Sequence, residues 1–154
     1  MRIIIYSIIF LILSGCGFKI VDQSENQKYK IKETEFKGEK RINYFLKNKL
    51  LKKSNNENFN NEITLIVNTK KNKIIKEKNI KNEITKYEIS ITSNIVAKLA
   101  ENNTYEFSVS SNGDYSVSEQ NSITINNEKK LIKILSQDLA EKIIKELNLI
   151  VNDL

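Results

Sequence analysis

Apolar and polar residues alternate most regularly between residues 87 and 117. The odd positions of residues 87–99 and 105–117 are mostly apolar, and the even positions are mostly hydroxyl, amide or charged residues. A period of two over this length predicts two long antiparallel strands joined by a tight hairpin, each with one buried and one wet face. Gly113, inside the second strand, predicts a bulge or a close backbone approach.

Two other segments have the three- and four-residue apolar spacing of amphipathic helices, residues 39–53 and about 127–151. Their stripes contain Ile42, Phe45, Leu46, Leu50 and Leu51 in the first and Leu131, Leu135, Leu139, Ile143, Ile144, Leu147 and Ile150 in the second. Gly38 is the expected entry to the first helix. Asn127 is expected to cap the second, with Glu128 in its first turn. Both stripes indicate ordinary core packing.

Shorter patterns predict a first strand over residues 29–36 and another from Glu62 to Asn68, preceded by an Asn-rich loop over residues 54–61. The order is then β-α-β-β-β-α. We expect a two-layer α+β sandwich, with two amphipathic helices packed on one face of a mostly antiparallel four-stranded sheet. Residues 29–154 would form this single domain.

The exposed face of that sheet is predicted to carry small polar side chains. They are Ser90, Thr92, Asn94, Ser108, Ser110, Asn112 and Ser116. Such a face can meet water or a hydrated wall of a partner protein, and it is unsuited to an apolar ligand.

Composition excludes several classes of enzyme. The chain has no histidine and one cysteine, so it cannot build a Ser-His-Asp triad, a Cys/His dyad or a His/Cys zinc site. Nothing in the sequence around any pair of carboxylates indicates a raised pKa or a pocket. We therefore expect a protein that is not an enzyme and that has no cofactor other than covalent lipid. Lysine and asparagine are so abundant that single positions carry little information.

Residues 1–15 have the features of an export signal. Met1-Arg2 supplies a positive start, and the apolar run from Ile3 to Leu13 is followed at once by a cysteine. Eleven residues rise only about 16 Å as a helix, about half of a bilayer core, so the segment favours a signal peptide over a transmembrane helix. Export argues against nucleic acid as a partner, despite the net charge of +6.

The tetrad Leu13-Ser14-Gly15-Cys16 resembles the lipobox of bacterial lipoproteins. The resemblance implies cleavage after Gly15, a diacylglyceryl group on the Cys16 sulfur and a further acyl chain on its amine. Several chains give stable anchoring, and residues 16–28 would be the lipidated cysteine and a polar tether. Gly17, by resemblance to lipoprotein sorting rules, implies the outer membrane. The alternative is a free or disulfide-bonded cysteine in an ordinary secreted protein.

The mature chain as a whole resembles the lipopolysaccharide-assembly lipoprotein family LptE. The resemblance rests on Cys16-Gly17-Phe18, the hairpin beginning Tyr87-Glu88-Ile89-Ser90-Ile91, Tyr115-Ser116-Val117 and a closing helix with Asp138-Leu139-Ala140. The chain departs from many members in lacking a proline after Gly-Phe and an alanine-rich last helix. The resemblance implies a lipid-anchored protein, facing the periplasm or a barrel lumen, that plugs and helps assemble the outer-membrane β-barrel LptD for lipopolysaccharide transport.

One lysine-rich segment is a candidate contact for lipopolysaccharide phosphates. Residues 70–81 hold six lysines and one glutamate and are predicted to form a mobile loop between the second and third strands. Lysine ammonium groups attract phosphates as point charges. The candidate contacts are Lys70, Lys71, Lys73, Lys76 and Lys78. The alternative is a solvated lysine run that reflects only the biased composition.

Two other functions stay open at this point. A lipoprotein subunit of a phospholipid-transporting envelope ABC system would share the signal, size and fold, but would act as a periplasmic adaptor. A structural envelope lipoprotein, which anchors or spaces, is the third.

Overall fold

The computed structural model describes residues 29–53, 61–99 and 103–153. Its elements are β1 (Tyr29–Gly38), α1 (Lys40–Lys53), β2 (Asn61–Lys78), β3 (Ile84–Leu99), β4 (Thr104–Ser116) and α2 (Asn121–Asn152). The order β-α-β-β-β-α and the α+β class confirm the prediction. The predicted signal peptide, Cys16 and its tether, the Asn-rich loop up to residue 60 and the tip of the β3–β4 hairpin lie outside the described residues.

The four strands form one sheet in the order β1-β2-β3-β4. β1 is parallel to β2, and the other two pairs are antiparallel. β1 ends at Gly38 opposite Thr69, whereas β2 continues to Lys78 and remains paired with β3. Beyond Thr69 the sheet therefore has three strands, and residues 70–78 form its edge.

The prediction of a loop over residues 70–81 is wrong, because most of that segment belongs to β2. β3 begins at Ile84 and lies beside this segment as far as Lys78, so strand pairing gives these lysines regular backbone partners despite their low β-propensity. The connecting turn occupies only residues 79–83. There Asn79 Oδ1 accepts hydrogen bonds from the backbone N–H groups of Lys81 and Glu83, and Asn82 adopts a φ of 64°.

Both helices cover one face of the sheet, and the core lies between these two layers. It is built from β1–β4 residues such as Tyr29, Leu65 and Ile91 together with the inward stripes of both helices. The stripe of α2 contains Ile132, Leu135, Ser136, Leu139, Ala140, Ile143, Ile144, Leu147 and Val151. Neither helix in the described ranges has the length and hydropathy needed to cross a membrane.

A buried polar network fixes the turn from β1 into α1. Gly38 has a φ of +90°, and a Cβ at this position would collide with the carbonyl oxygen of Thr69. The Thr69 hydroxyl donates to Asn43 Oδ1 at 2.8 Å and accepts from the Glu39 N–H at 3.1 Å. Asn43 Nδ2 in turn donates to the Lys37 carbonyl at 3.0 Å. The predicted entry at Gly38 is confirmed, and its reason is the close approach of two backbones.

Helix α2 begins at Asn121, six residues before the predicted cap. Reciprocal contacts mark this start, since the Ser118 N–H donates to Thr124 Oγ1 and the Thr124 hydroxyl donates to the Ser118 carbonyl. The sequence pattern missed the first turns because Ile123 and Ile125 remain exposed there and join no core stripe. Asn127 and Glu128 consequently lie inside the helix.

Candidate functional site

The five candidate lysines lie along an extended strand and not in a loop, so they do not form one cluster. Lys71 and Lys73 are paired with Ile91 and Ile89, on the face that the helices cover. Lys70 is paired with Thr92 on the opposite face, which we call the open face. Lys76 also reaches acids of the open face, and Lys78 Nζ donates to Asn82 Oδ1 at the turn.

On the helix-covered face, Lys73 belongs to a polar cluster that joins three strands to α2. Its ammonium lies 2.7 Å from Glu128 Oε2 and 4.3 Å from the centroid of the Tyr87 ring. Tyr115 stacks on Tyr87, with centroids 5.7 Å apart, and its hydroxyl donates to the same Glu128 oxygen at 2.8 Å. Lys71 Nζ lies 3.9 Å from the other oxygen. We call Lys73, Tyr87, Tyr115 and Glu128 the latch.

Within the latch, Lys73 and Glu128 each stabilise the charged form of the other. Partial burial would lower the pKa of Lys73, but Glu128 and Tyr115 raise it above its ordinary value. Burial would likewise raise the pKa of Glu128, but hydrogen bonds from Lys73 and Tyr115 hold it below its ordinary value. Both groups are therefore charged at neutral pH, and the lysine already has a carboxylate partner.

A second charge network lies on the open face near the same end of the sheet. Lys76 Nζ is 3.1 Å from Asp114 and 3.5 Å from Glu88, and Lys86 Nζ is 3.1 Å from Glu77 and 3.8 Å from Asp114. The hydrogen bond between Lys76 and Asp114 raises the pKa of the lysine and lowers that of the aspartate. Lys76 follows the alternation of β2 onto the open face, and the bulge there places Glu77 opposite Lys86 on the same face.

These partners change the interpretation of the lysine-rich segment. Lys71, Lys73 and Lys76 face carboxylates that the sequence places 12 to 57 residues away, where no local pattern could reveal them. A strand whose lysines alternate between two faces cannot present all five to one phosphate group. Contact of single lysines with lipopolysaccharide stays a prediction; Lys70 and Lys76 are both exposed on the open face, and Lys76 faces Asp114 and Glu88 there.

A groove that the sequence analysis missed lies between the start of α1, β2 and the first half of α2. Its volume is about 270 Å³, and its charged side chains are Glu39, Arg41, Lys71, Glu128 and Lys129, with Ile42, Ile125 and Ile132 beside them. The groove exists because β1 ends at Gly38, whereas β2 and α2 continue beyond that level. In the described parts of the chain, no three histidine, cysteine or acidic side chains lie close enough to hold a metal ion.

The open face has the composition that the alternation predicted. Thr92, Asn94, Ser108, Ser110, Asn112 and Ser116 are exposed, and Ser90 is half-buried. The odd neighbours, such as Ile91, Ile95 and Val109, are buried beneath the helices. Gly113 lies opposite Ile89 in an unbroken register, so it is not a bulge. A Cβ there would meet the Leu131 side chain at 3.0 Å, so the group that approaches this glycine closely is a side chain of α2 and not a backbone.

The fold resembles those of solved bacterial lipoproteins. Lipoprotein B from Nitrosomonas europaea has a TM-score of 0.61 at 12% identity, over 89% of this chain and 94% of that one. Rare lipoprotein B from Shewanella oneidensis has a TM-score of 0.58 at 11% identity, over 79% and 98%. A minor lipoprotein from Acinetobacter baumannii has a TM-score of 0.55 at 17% identity, over 79% and 90%.

No protein-family model and no curated protein sequence matches the chain. At these identities the likeness shows a shared fold, a two-layer α+β domain that several bacterial lipoproteins also adopt.

Proposed function

We propose that the chain is a non-catalytic outer-membrane lipoprotein that plugs and helps assemble an LptD-type β-barrel for lipopolysaccharide transport. Acyl chains on Cys16 would hold it at the membrane, and residues 16–28 would connect that anchor to the domain. The observation that carries the proposal is the open face, a broad sheet surface of small polar side chains on a fold shared with bacterial lipoproteins.

The lipoprotein part of the proposal has two independent supports. The sequence Leu13-Ser14-Gly15-Cys16 after an eleven-residue apolar run resembles a lipobox. The fold of the domain, which that motif does not determine, is one that lipoproteins from several bacteria adopt. Because β1 begins at Tyr29, the tether before it has room for about a dozen residues, or up to about 40 Å of extended chain.

The plug part of the proposal follows from the two outer surfaces of the domain. Small hydroxyl and amide groups on the open face can exchange their hydrogen bonds between water and the polar wall of a barrel lumen at little cost. The outer side of α2 is also mostly polar, with exposed Lys133, Gln137, Glu141 and Lys145 beside one exposed isoleucine, Ile134. A domain with hydrated surfaces on both sides suits a water-lined interior, which large outer-membrane barrels have.

Purification in mild detergent tests the proposal against its alternatives. We expect a large, heat-modifiable β-barrel to co-purify with the protein, and a Cys16→Ser variant to lose both lipid and most of the complex. Recovery of ABC-transporter components in place of a barrel would support the phospholipid-transport adaptor. Recovery of the protein alone would favour a structural envelope lipoprotein. Depletion should reduce surface lipopolysaccharide only if the plug function is correct.

A further inference from the structure

The two edges of the sheet are protected very differently. Residues 70–78, the edge of β2 beyond the end of β1, contain five lysines in nine positions, and lysine is a residue with which natural proteins discourage pairing at an edge. The other edge is β4, Thr104–Ser116, which has 13 residues and no lysine, arginine or proline. A strand of this length offers about 40 Å of edge.

The backbone groups of β4 that face outward belong to its even residues. The Val117 N–H donates to the Thr85 carbonyl, and the Leu99 N–H donates to the Asn103 carbonyl. Both bonds continue the β3–β4 register and join odd residues, so the odd residues of β4 are the ones hydrogen-bonded to β3. In an antiparallel ladder the hydrogen-bonded positions alternate, so even residues turn their N–H and C=O groups away from β3.

Contacts from α2 agree with this assignment. Lys142 donates to the Ser110 carbonyl and Asn127 donates to the Ser116 carbonyl, both at even positions. No backbone strand of the described residues pairs along this side of β4. The outward N–H groups of Glu106, Ser108 and Asn112 are thus placed to donate to an added strand.

Charge indicates which kind of strand fits. The charged residues of β4 are Glu106 and Asp114, and only Asp114 has lysine partners in the described part of the chain. A second copy pairing antiparallel along all of β4 would place Glu106 opposite Asp114 of that copy, which is unfavourable. On the helix-covered side, Leu149 is 49% exposed, two helical turns beyond Lys142 on the same side of α2.

We propose that β4 is a docking edge for an extended segment of another polypeptide whose basic side chains alternate with apolar ones. The segment adds a fifth strand by backbone hydrogen bonds to the even residues of β4 from Glu106 to Asn112, and its pairing displaces the Lys142 side chain from the Ser110 carbonyl. Its basic side chains lie on the open face near Glu106, and its apolar side chains lie towards Leu149. This goes beyond the proposed plug function, which concerns the surfaces of the sheet and helices and not its edge.

Binding of synthetic strand peptides to the full chain in mild detergent tests the inference. The probe is an end-blocked peptide of about seven alternating lysines and valines, compared with a glutamate–valine counterpart. We expect the basic peptide to bind more tightly and to slow amide hydrogen exchange at Glu106, Ser108 and Asn112 by about tenfold or more, as measured by NMR. Equal affinity for both peptides, or binding without this protection, would overturn the proposal.

Three variants separate the edge from general electrostatics. Ser108→Pro removes an outward donor and should abolish binding; on the β3 side it removes only the 3.4 Å bond from the Ser108 hydroxyl to the Ser93 carbonyl. Glu106→Lys leaves the backbone edge intact and should reverse the preference between the two peptides. Glu33→Lys makes the same charge change on β1, at the other side of the sheet, and should leave both affinities unchanged.

The same exchange measurement without peptide identifies other occupants. Protection of the even β4 amides that rises with protein concentration would assign the edge to a second copy. Protection that is independent of concentration would assign it to the chain's own residues 16–28. Either result would overturn the proposed partner strand.

Discussion

The latch should contribute stability that an equally short but exposed ion pair does not. Glu128 accepts hydrogen bonds from Lys73 at 2.7 Å and Tyr115 at 2.8 Å, and its side chain is 25% exposed. Glu141 also lies 2.7 Å from a lysine, Lys49, but is 62% exposed and accepts no second side-chain bond from the described residues. The substitutions Glu128→Gln and Glu141→Gln therefore form a matched pair.

The expected sizes follow from exposure and from the number of donors. Hydrogen bonds to a charged group contribute about 1.5–3 kcal/mol when buried. Partial solvent screening and the amide oxygen that glutamine retains reduce the loss for Glu128→Gln to about 1 kcal/mol. Exposed pairs typically contribute between about 0 and 1 kcal/mol, so Glu141→Gln should change the free energy of unfolding by less than about 0.5 kcal/mol.

Urea unfolding followed by circular dichroism measures both values, first at low salt and then at about 1 M NaCl, where the Debye length is about 3 Å. The effect of Glu128→Gln should persist in salt, because the tyrosine bond and the partly buried pair are poorly screened. The effect of Glu141→Gln should disappear. Equal destabilisation by the two variants, or loss of the Glu128 effect in salt, would refute the structural contribution assigned to the latch.

Three further predictions concern stability. The pKa of Glu128 is lowered in the folded state, so its contribution to stability is complete above the ordinary value of 4.5 and is lost as pH falls through the folded value. Wild type and Glu128→Gln should therefore converge in unfolding free energy in acid. A constant difference down to about pH 2 would contradict this. Thr69→Val leaves Asn43 Oδ1 and the Glu39 N–H without their hydroxyl partner, and should cost about 2–4 kcal/mol in urea unfolding, whereas Thr69→Ser should cost about 1 kcal/mol; similar losses would exclude the network as the cause. Gly38→Ala combines a positive φ with a backbone collision and should lower Tm more than Gly113→Ala, whose neighbour is a movable leucine side chain; the reverse order would be inconsistent with the described turn.

The sequence was sufficient for the fold because its main elements have long, regular patterns. The alternation around Ile89 and Ile91 and the stripe through Leu139 and Ile143 each match a buried face. The β2 boundary could not be predicted, because strand pairing with β3, and not the local lysine-rich sequence, extends it to Lys78. The prediction of where α2 begins failed for a related reason, because the first turns of the helix bury no apolar side chain.

The candidate site shows the limits of a local pattern more clearly. The lysine run was visible, but whether each lysine meets solvent or an acid depends on the register between β2, β3 and β4 and on the position of α2. Glu128, assigned by the sequence to a helix start, contacts Lys73 and Tyr115 across the sheet. The groove beside α1 also depends on β2 and α2 extending past the end of β1 at Gly38, which no motif marks.

Site-specific photo-crosslinking in cells tests the plug function most directly. A photoreactive residue is placed at Asn94 on the open face, or at Lys145 on the outer side of α2, since both are exposed and lie on opposite sides of the domain. A domain enclosed in a barrel should crosslink from both positions to the same large, heat-modifiable β-barrel protein. Crosslinks from one position only, or crosslinks to components of an ABC system, would contradict the account.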